Sequence, residues 1–172
     1  MTTSPRPGKN TGHPTTEKTS PEPRWLTAHE QRLWRSWLTA TKGLQSTLGS
    51  DLINESGLSM PDYEVLVVLS EAPDETSRVS ALADLTGWER SRLSHHLGRM
   101  EKRKLIQRRC CPEDARGQLV SLTDTGRERI RESAPGHVAA VRRHLFDVLD
   151  ADDLAALERI TGRIIGSLPD QG

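Results

Sequence analysis

Residues 79–104, "VSALADLTGWERSRLSHHLGRMEKRK", limit the possible folds more than any other part of the chain. Ser80 can cap a helix of one or two turns through Leu85, and Thr86-Gly87 breaks it. A second helix is expected from about Glu89 to Lys104, with Leu93, Leu97 and Met100 on one face. Two short helices joined by a glycine turn form a helix-turn-helix. The opposite face of the second helix carries Ser91, His95, Arg99 and Lys102, with Arg92 to one side. Hydroxyl, imidazole and guanidinium groups in that pattern suit phosphates and base edges in a major groove. Immediately afterwards "LIQRR" and "QLVSL" read as strands of a hairpin around the turn "CCPEDARG". The expected fold is therefore mainly α with a small β-hairpin wing, a winged helix-turn-helix spanning residues 61–122.

The flanks are helical. Residues 25–53 carry Trp34, Trp37, Leu38, Leu44, Leu48 and Leu52 at three- and four-residue intervals, and "NESGLS" ends the stripe at Gly57. "MPDYEVLVVLSEAP" is a short, very apolar helix, with Pro61 in its first turn and Pro73 past its end. A further helix starts at about Thr123 and is expected to break or kink at Pro135-Gly136. The last, 151–168, lines up Leu154, Leu157, Thr161, Ile164 and Leu168. The small central region cannot cover both flanking stripes, so 25–53 and 124–168 are expected to pack on each other and on a second copy of the chain.

Charge adds to this reading. The 172-residue chain has zero formal net charge, yet Arg78–Arg131 holds 13 Lys and Arg against 7 Asp and Glu. A basic middle between acidic flanks is an electrostatic footprint for nucleic acid, although a solvated helix face would look the same. Residues 1–24 contain 15 Thr, Ser, Pro and Gly and cannot bury enough apolar surface to order themselves, so they read as a disordered tail before a single domain, 25–172. They contain no apolar signal-peptide core, and no run of about 18 apolar residues offers a membrane span. A cytoplasmic protein without membrane contact is expected.

In its motifs the chain resembles the MarR (multiple antibiotic resistance regulator) family over roughly residues 25–168. "RRCCPEDARGQLVSLTDTG" is similar to that family's wing signature: an Arg pair, a Pro-x-Asp-x-Arg turn and a strand ending Leu-Thr-x-x-Gly. "LSMPDYEVLVVLSEAP" and "SRLSHHLGRMEKRKLI" fit its second and recognition helices. The resemblance implies a homodimer that binds double-stranded DNA at pseudo-palindromic operators, usually as a repressor, and is released by a small, often phenolic effector. It implies DNA contacts at Arg90, Ser91, Arg92, His95 and Arg99, a wing-tip contact at Arg116, and Asp114 bracing that arginine. Two departures stand out. Lys104 replaces the usual glycine after the recognition helix, which predicts a tighter or longer helix end. The N-terminal cysteine of the family's peroxide-sensing branch is absent.

Other residues carry competing readings. Cys110 and Cys111 are neighbours whose side chains point to opposite faces of a strand, which disfavours a disulfide between them. Zinc would need further ligands at suitable spacing, so no metal or cofactor is expected. Inert strand-end residues are the first reading of the pair, and thiol-oxidation sensing is the alternative. His95 suits DNA contact, whereas His96 lies nearer the packed side. Trp34, Trp37 and His137 are candidates for an aromatic effector's pocket, against the plainer reading of core or interface. No phosphate-cradling glycine loop, His-Glu-x-x-His or nucleophile elbow is present, so the chain does not read as an enzyme. A winged helix serving only protein interaction would not need a basic recognition face. Deleting residues 1–24 is expected to leave the thermal midpoint of unfolding unchanged; a large drop would show that the tail docks.

Overall fold

A computed structural model describes residues 23–169 apart from 112 and 113, with the backbone alone for Cys111 and 114–116. The expected tail therefore lies almost entirely outside the described residues. Helix α1 (Ala28–Ser56) opens on a reciprocal cap. The Glu30 carboxylate accepts from Thr27 N at 2.7 Å, and the Thr27 hydroxyl accepts from Glu30 N at 3.2 Å. The unit ending at Ser36 contains the first turns of α1, with Leu33 and Trp34 exposed. Everything from Trp37 onward forms the second unit.

Gly57 takes φ +67°, ending α1, and Ser59 starts α2 (Met60–Glu71) through a capping box with Asp62. Val65, Leu66 and Leu69 of α2 are completely buried. They meet Leu82 of α3 (Val79–Thr86) and Leu93, Leu97 and Met100 of α4 (Arg90–Lys102) in one core. Each such side chain contributes about 1.5–3 kcal/mol relative to exposure.

The wing is a three-stranded antiparallel sheet in the order β1 (Thr76–Arg78), β3 (Asp114–Leu122), β2 (Ile106–Cys111). Pairing of Thr76 with Ser121 and of Arg78 with Leu119 makes β1 an edge strand that the sequence did not announce. Thr-Ser-Arg is too short to show alternation, and its pairing is wholly tertiary. Just before it, a 3₁₀ turn at Pro73–Glu75 places Asp74 and Glu75 at φ +53° and +51°. Arg127 Nε donates to Glu75 Oε1 at 3.0 Å, tying that turn to α5 (Asp124–His144).

Several boundaries differ from expectation. Ser80 is not the cap of α3; Arg78 holds that position without a side-chain cap, because the chain passes directly from β1 into the helix. The hairpin strands run deep into "CCPEDARG", with a register shift between Cys110 and Cys111. Helix α4 is neither tighter nor longer at its end: Lys104 takes φ +60°, the left-handed conformation that a glycine would supply. Helix α5 is not interrupted at Pro135, which lies inside one continuous element. A missing proline N–H costs one helical hydrogen bond, and packing of α5 can offset that. A 3₁₀ turn (Phe146–Val148) leads to α6 (Ala151–Ile165), capped reciprocally by Asp150 and Asp153.

The end of α4, the start of β2 and the start of α5 meet at one junction. The Thr123 hydroxyl donates to Lys104 O at 2.5 Å and accepts from Gly126 N at 3.0 Å, capping α5. Gly126 passes so close to the strand that a Cβ there would lie 1.9 Å from Leu105 O. This explains why "LTDTG" ends in glycine. Gly126→Ala is therefore expected to lower unfolding stability by about 1–3 kcal/mol, the usual cost of overpacking, in a denaturant titration. Unchanged stability would show that the junction can open without loss.

Candidate nucleic-acid interface

Gly87, at φ +65°, lets α3 stop abruptly, and its N–H bonds back to Ala83 O and Asp84 O. Two residues later Glu89 caps α4, its carboxylate accepting from Ser91 N at 3.1 Å and Arg92 N at 3.2 Å. The Ser91 hydroxyl also donates to Glu89. These bonds and the positive end of the helix dipole favour the ionised cap, and the Glu89 carboxyl is lowered, first by the Ser91 hydroxyl. The sequence reading started this helix at about Glu89 without assigning that residue the cap, although an acidic residue at a helix start is a recognisable N-terminal signal.

Along α4 the two faces separate cleanly. Leu93, His96, Leu97 and Met100 are buried, whereas Arg90, Ser91, Arg92, Ser94, His95, Arg99 and Lys102 are exposed. All five recognition-helix residues singled out from the sequence thus share the solvent face. Two of the arginines are oriented from behind. Arg92 stacks over the Trp88 ring at 4.6 Å to its centroid, and Arg99 Nη2 lies 2.7 Å from His96 Nδ1.

A groove of about 490 Å³ runs between α4 and the wing, lined by Ser94, His95, Gly98, Arg99, Glu101, Lys102 and Arg108. Glu101 braces it: its carboxylate accepts from Arg108 N at 3.1 Å and from Arg108 Nε at 2.9 Å, and the arginine holds that carboxyl below its ordinary range. Arg108 therefore locks β2 to α4, a role invisible in a basic run such as "QRR". Ser94 was also overlooked, because one exposed serine at helical spacing carries no distinguishing signal. Cys110 is exposed on β2 opposite Gln118. The side chains of Cys111, Asp114 and Arg116 lie outside the described residues.

On the other side of Trp88 lies a cavity of about 410 Å³, lined by Met60, Tyr63, Glu64, Val67, Val68, Leu85, Thr86, Trp88 and His137. The Tyr63 and His137 rings stand 4.5 Å apart at 48°. Burial lowers the His137 imidazole, and among the described residues its Nδ1 has no hydrogen-bond partner. Burial also raises the Glu64 carboxyl, opposed by Arg92 and His96 and by a hydrogen bond from Trp88. Of the pocket candidates, His137 lines this cavity and Trp37 does not; Trp34 and Trp37 are 52% and 41% exposed on α1. Tyr63, Glu64 and Trp88 were not anticipated, because their convergence depends on α2 packing against α5. No group of three His, Cys, Asp or Glu among the described residues could hold a metal ion, and no described helix is long and apolar enough to cross a membrane.

Comparison with known proteins agrees with this geometry. The sequence pattern of the MarR family matches residues 56–117. The crystal structure of Sco3205, a MarR family transcriptional regulator from Streptomyces coelicolor, in complex with DNA, superposes with a TM-score of 0.81. It shares 41% identity, with 89% of this chain and 96% of that one covered. AbsC, a MarR family transcriptional regulator from the same organism, gives 0.76 and 42% identity over 84% of this chain and 100% of its own. The uncharacterised HTH-type regulator YdgJ of Bacillus subtilis is 36% identical over 92 residues, or 54% of this chain. That match spans only 55% of YdgJ. With a winged helix-turn-helix, an exposed basic recognition face and near full-length relatives of one kind, the chain belongs to the MarR family of transcriptional regulators.

Proposed function

We propose that the chain is a homodimeric, sequence-specific DNA-binding repressor that occupies a pseudo-palindromic operator. The observation that carries this reading is the exposed surface of α4, which presents Arg90, Ser91, Arg92, His95 and Arg99, the last two lining the groove beside the wing. Among the relatives described above, the DNA-bound Sco3205 supports it. Helix α4 would lie in the major groove, its N-terminal residues at base edges and its later arginines at phosphates. Arg116 would enter the neighbouring minor groove from the wing tip, braced by Asp114, where a narrow groove concentrates negative potential. Such a regulator works in the cytoplasm.

The dimer reading rests on apolar surface without cover. Helix α6 has no buried residue, and Ile160, Ile164, Ile165 and Leu168 at the C-terminal end are each more than 40% exposed. On α1, Leu33, Trp34 and Ile53 are exposed as well. A second copy offering the same surfaces would cover them. In this reading residues 25–53 and 124–168 form the dimer region, and the two recognition helices reach half-sites about one helical turn apart, roughly 10–10.5 bp.

The cavity beside Trp88 is proposed to take a small aromatic effector. Its lining is mostly apolar and aromatic, and His137 Nδ1 offers one polar group in need of a partner. Trp88 forms part of its wall and also carries Arg92, so a ligand that moves the indole would move a DNA-facing guanidinium.

Selection of bound DNA from a random duplex library tests the main reading. An enriched inverted repeat is expected; no enrichment by a folded protein would overturn sequence-specific binding. On the selected operator, Arg116→Ala should weaken binding at least several-fold while sedimentation still shows a dimer. Wild-type affinity in a gel-shift titration would remove the wing contact. Neutralising Arg92 should make the dependence of log Kobs on log salt shallower by about 0.9, one phosphate's worth of released counterions. An unchanged slope would refute a phosphate contact there.

A further inference from the structure

Three side chains run from the core to the proposed DNA face, and only the outermost belongs to it. Asp62, in the first turn of α2, is 2% exposed. One carboxylate oxygen, Oδ2, accepts from Ser59 N at 3.0 Å, the Ser59 hydroxyl at 2.8 Å and Arg103 Nη1 at 2.7 Å. The other, Oδ1, stands 3.1 Å from His96 Nε2, a charge contact without hydrogen-bond alignment. Among the described residues Nε2 has no other partner than this carboxylate's field. Burial pushes the Asp62 carboxyl up, but His96, Arg103 and Ser59 outweigh it and hold the group well below the usual carboxylate range. His96 is itself 6% exposed, and its second nitrogen, Nδ1, lies 2.7 Å from Arg99 Nη2.

The chemistry of these groups assigns the ring proton. A guanidinium has donors and no acceptor, so a contact at 2.7 Å makes His96 Nδ1 the acceptor. The single proton of the neutral ring then lies on Nε2, toward the ionised Asp62, where a carboxylate favours it. Polarity therefore runs one way, from Arg99 through His96 to Asp62. The other side of the ring meets the Trp88 indole edge-on, with centroids 5.4 Å apart at 76°, so the imidazole is held by packing as well as by its partners.

We propose that His96 is a positioning residue for DNA binding: Asp62 selects its tautomer, and its Nδ1 holds the Arg99 guanidinium ready on the DNA face. Arginine is long and flexible, and part of the cost of binding is the freedom such a side chain loses. A guanidinium already held by a buried acceptor has less freedom left to lose. The buried carboxylate thus acts on DNA affinity without touching DNA. This proposal rests on the reading of Arg99 as a DNA contact, and its test separates the two.

Operator affinity is measured across a salt series for wild type, His96→Phe, Arg99→Gln and the double variant, alongside thermal unfolding. Phenylalanine keeps the ring's bulk and removes both nitrogens. Arg99→Gln alone should weaken binding and make the salt dependence shallower by about 0.9. His96→Phe should weaken binding several-fold in the wild-type background and add nothing in the Arg99→Gln background. An equal loss in both backgrounds would overturn the proposal, since His96 would then act independently of Arg99. Wild-type affinity and slope for Arg99→Gln would instead overturn Arg99 as a DNA contact, and with it any positioning role. Long-range ¹⁵N NMR of the DNA-free wild-type protein reads the tautomer directly, whether or not His96→Phe folds well. A proton on Nε2 and none on Nδ1 is expected, and a proton on Nδ1 would overturn the proposal.

Discussion

Asp62 shows how much of this fold hangs on one carboxylate that has lost its water. A buried, isolated charge would cost several kcal/mol, and the chain meets that cost by converging on it. The capping Ser59 comes from the start of α2, Arg103 from the residue after α4, and His96 from the middle of α4. The same group therefore starts one helix, marks the end of another and fixes how the two cross. Arg103 extends the tie by donating to Gly57 O at 3.1 Å, reaching the glycine that ends α1. The recognition helix is consequently anchored on its inner side by charge as well as by Leu93, Leu97 and Met100.

The second anchor is the junction of α4, β2 and α5. Lys104 bends into the left-handed region, its carbonyl is taken by the Thr123 hydroxyl, and Gly126 slides against Leu105 O. The wing and α5 therefore leave the recognition helix from a single fixed point. Elsewhere, the cavity at His137 is bounded by α2 and by the indole that supports Arg92. The cavity proposed for an effector and the face proposed for DNA thus share a wall one side chain thick.

Three arginines of the basic middle of the chain have their charge offset by a carboxylate within the fold. Arg103 is taken by Asp62, Arg108 by Glu101 and Arg127 by Glu75, each holding two elements together. The cations on the outer face of α4 have a different environment: Arg92 rests on an indole and Arg99 on an imidazole, neither of which cancels its charge. An excess counted along the sequence therefore does not separate arginines paired within the fold from those left at its surface. Burial and pairing sort structural arginines from those free to meet phosphate.

Local patterns were enough to reveal the order of helices, the glycine turn at Gly87, the inner and outer faces of α4 and the hairpin after it, because each depends on spacing over a few residues. The wing signature led to the family for the same reason: "PEDARG" and "LTDTG" are local chemistry. Wherever residues distant in sequence had to meet, the sequence was silent or misleading. The three-residue strand β1 exists only because β3 pairs with it, and Ser80 loses its capping role because that strand runs straight into α3. Pro135 stays inside a continuous helix, and Lys104 adopts a glycine's conformation at a junction that closes around it. His96 could be read as buried, but not as a link between Asp62 and Arg99, since α2 and α4 are brought together only by the core. Periodicity thus determined which elements exist and which faces they turn inward. Tertiary packing decided which polar groups were stripped of water and had to find one another.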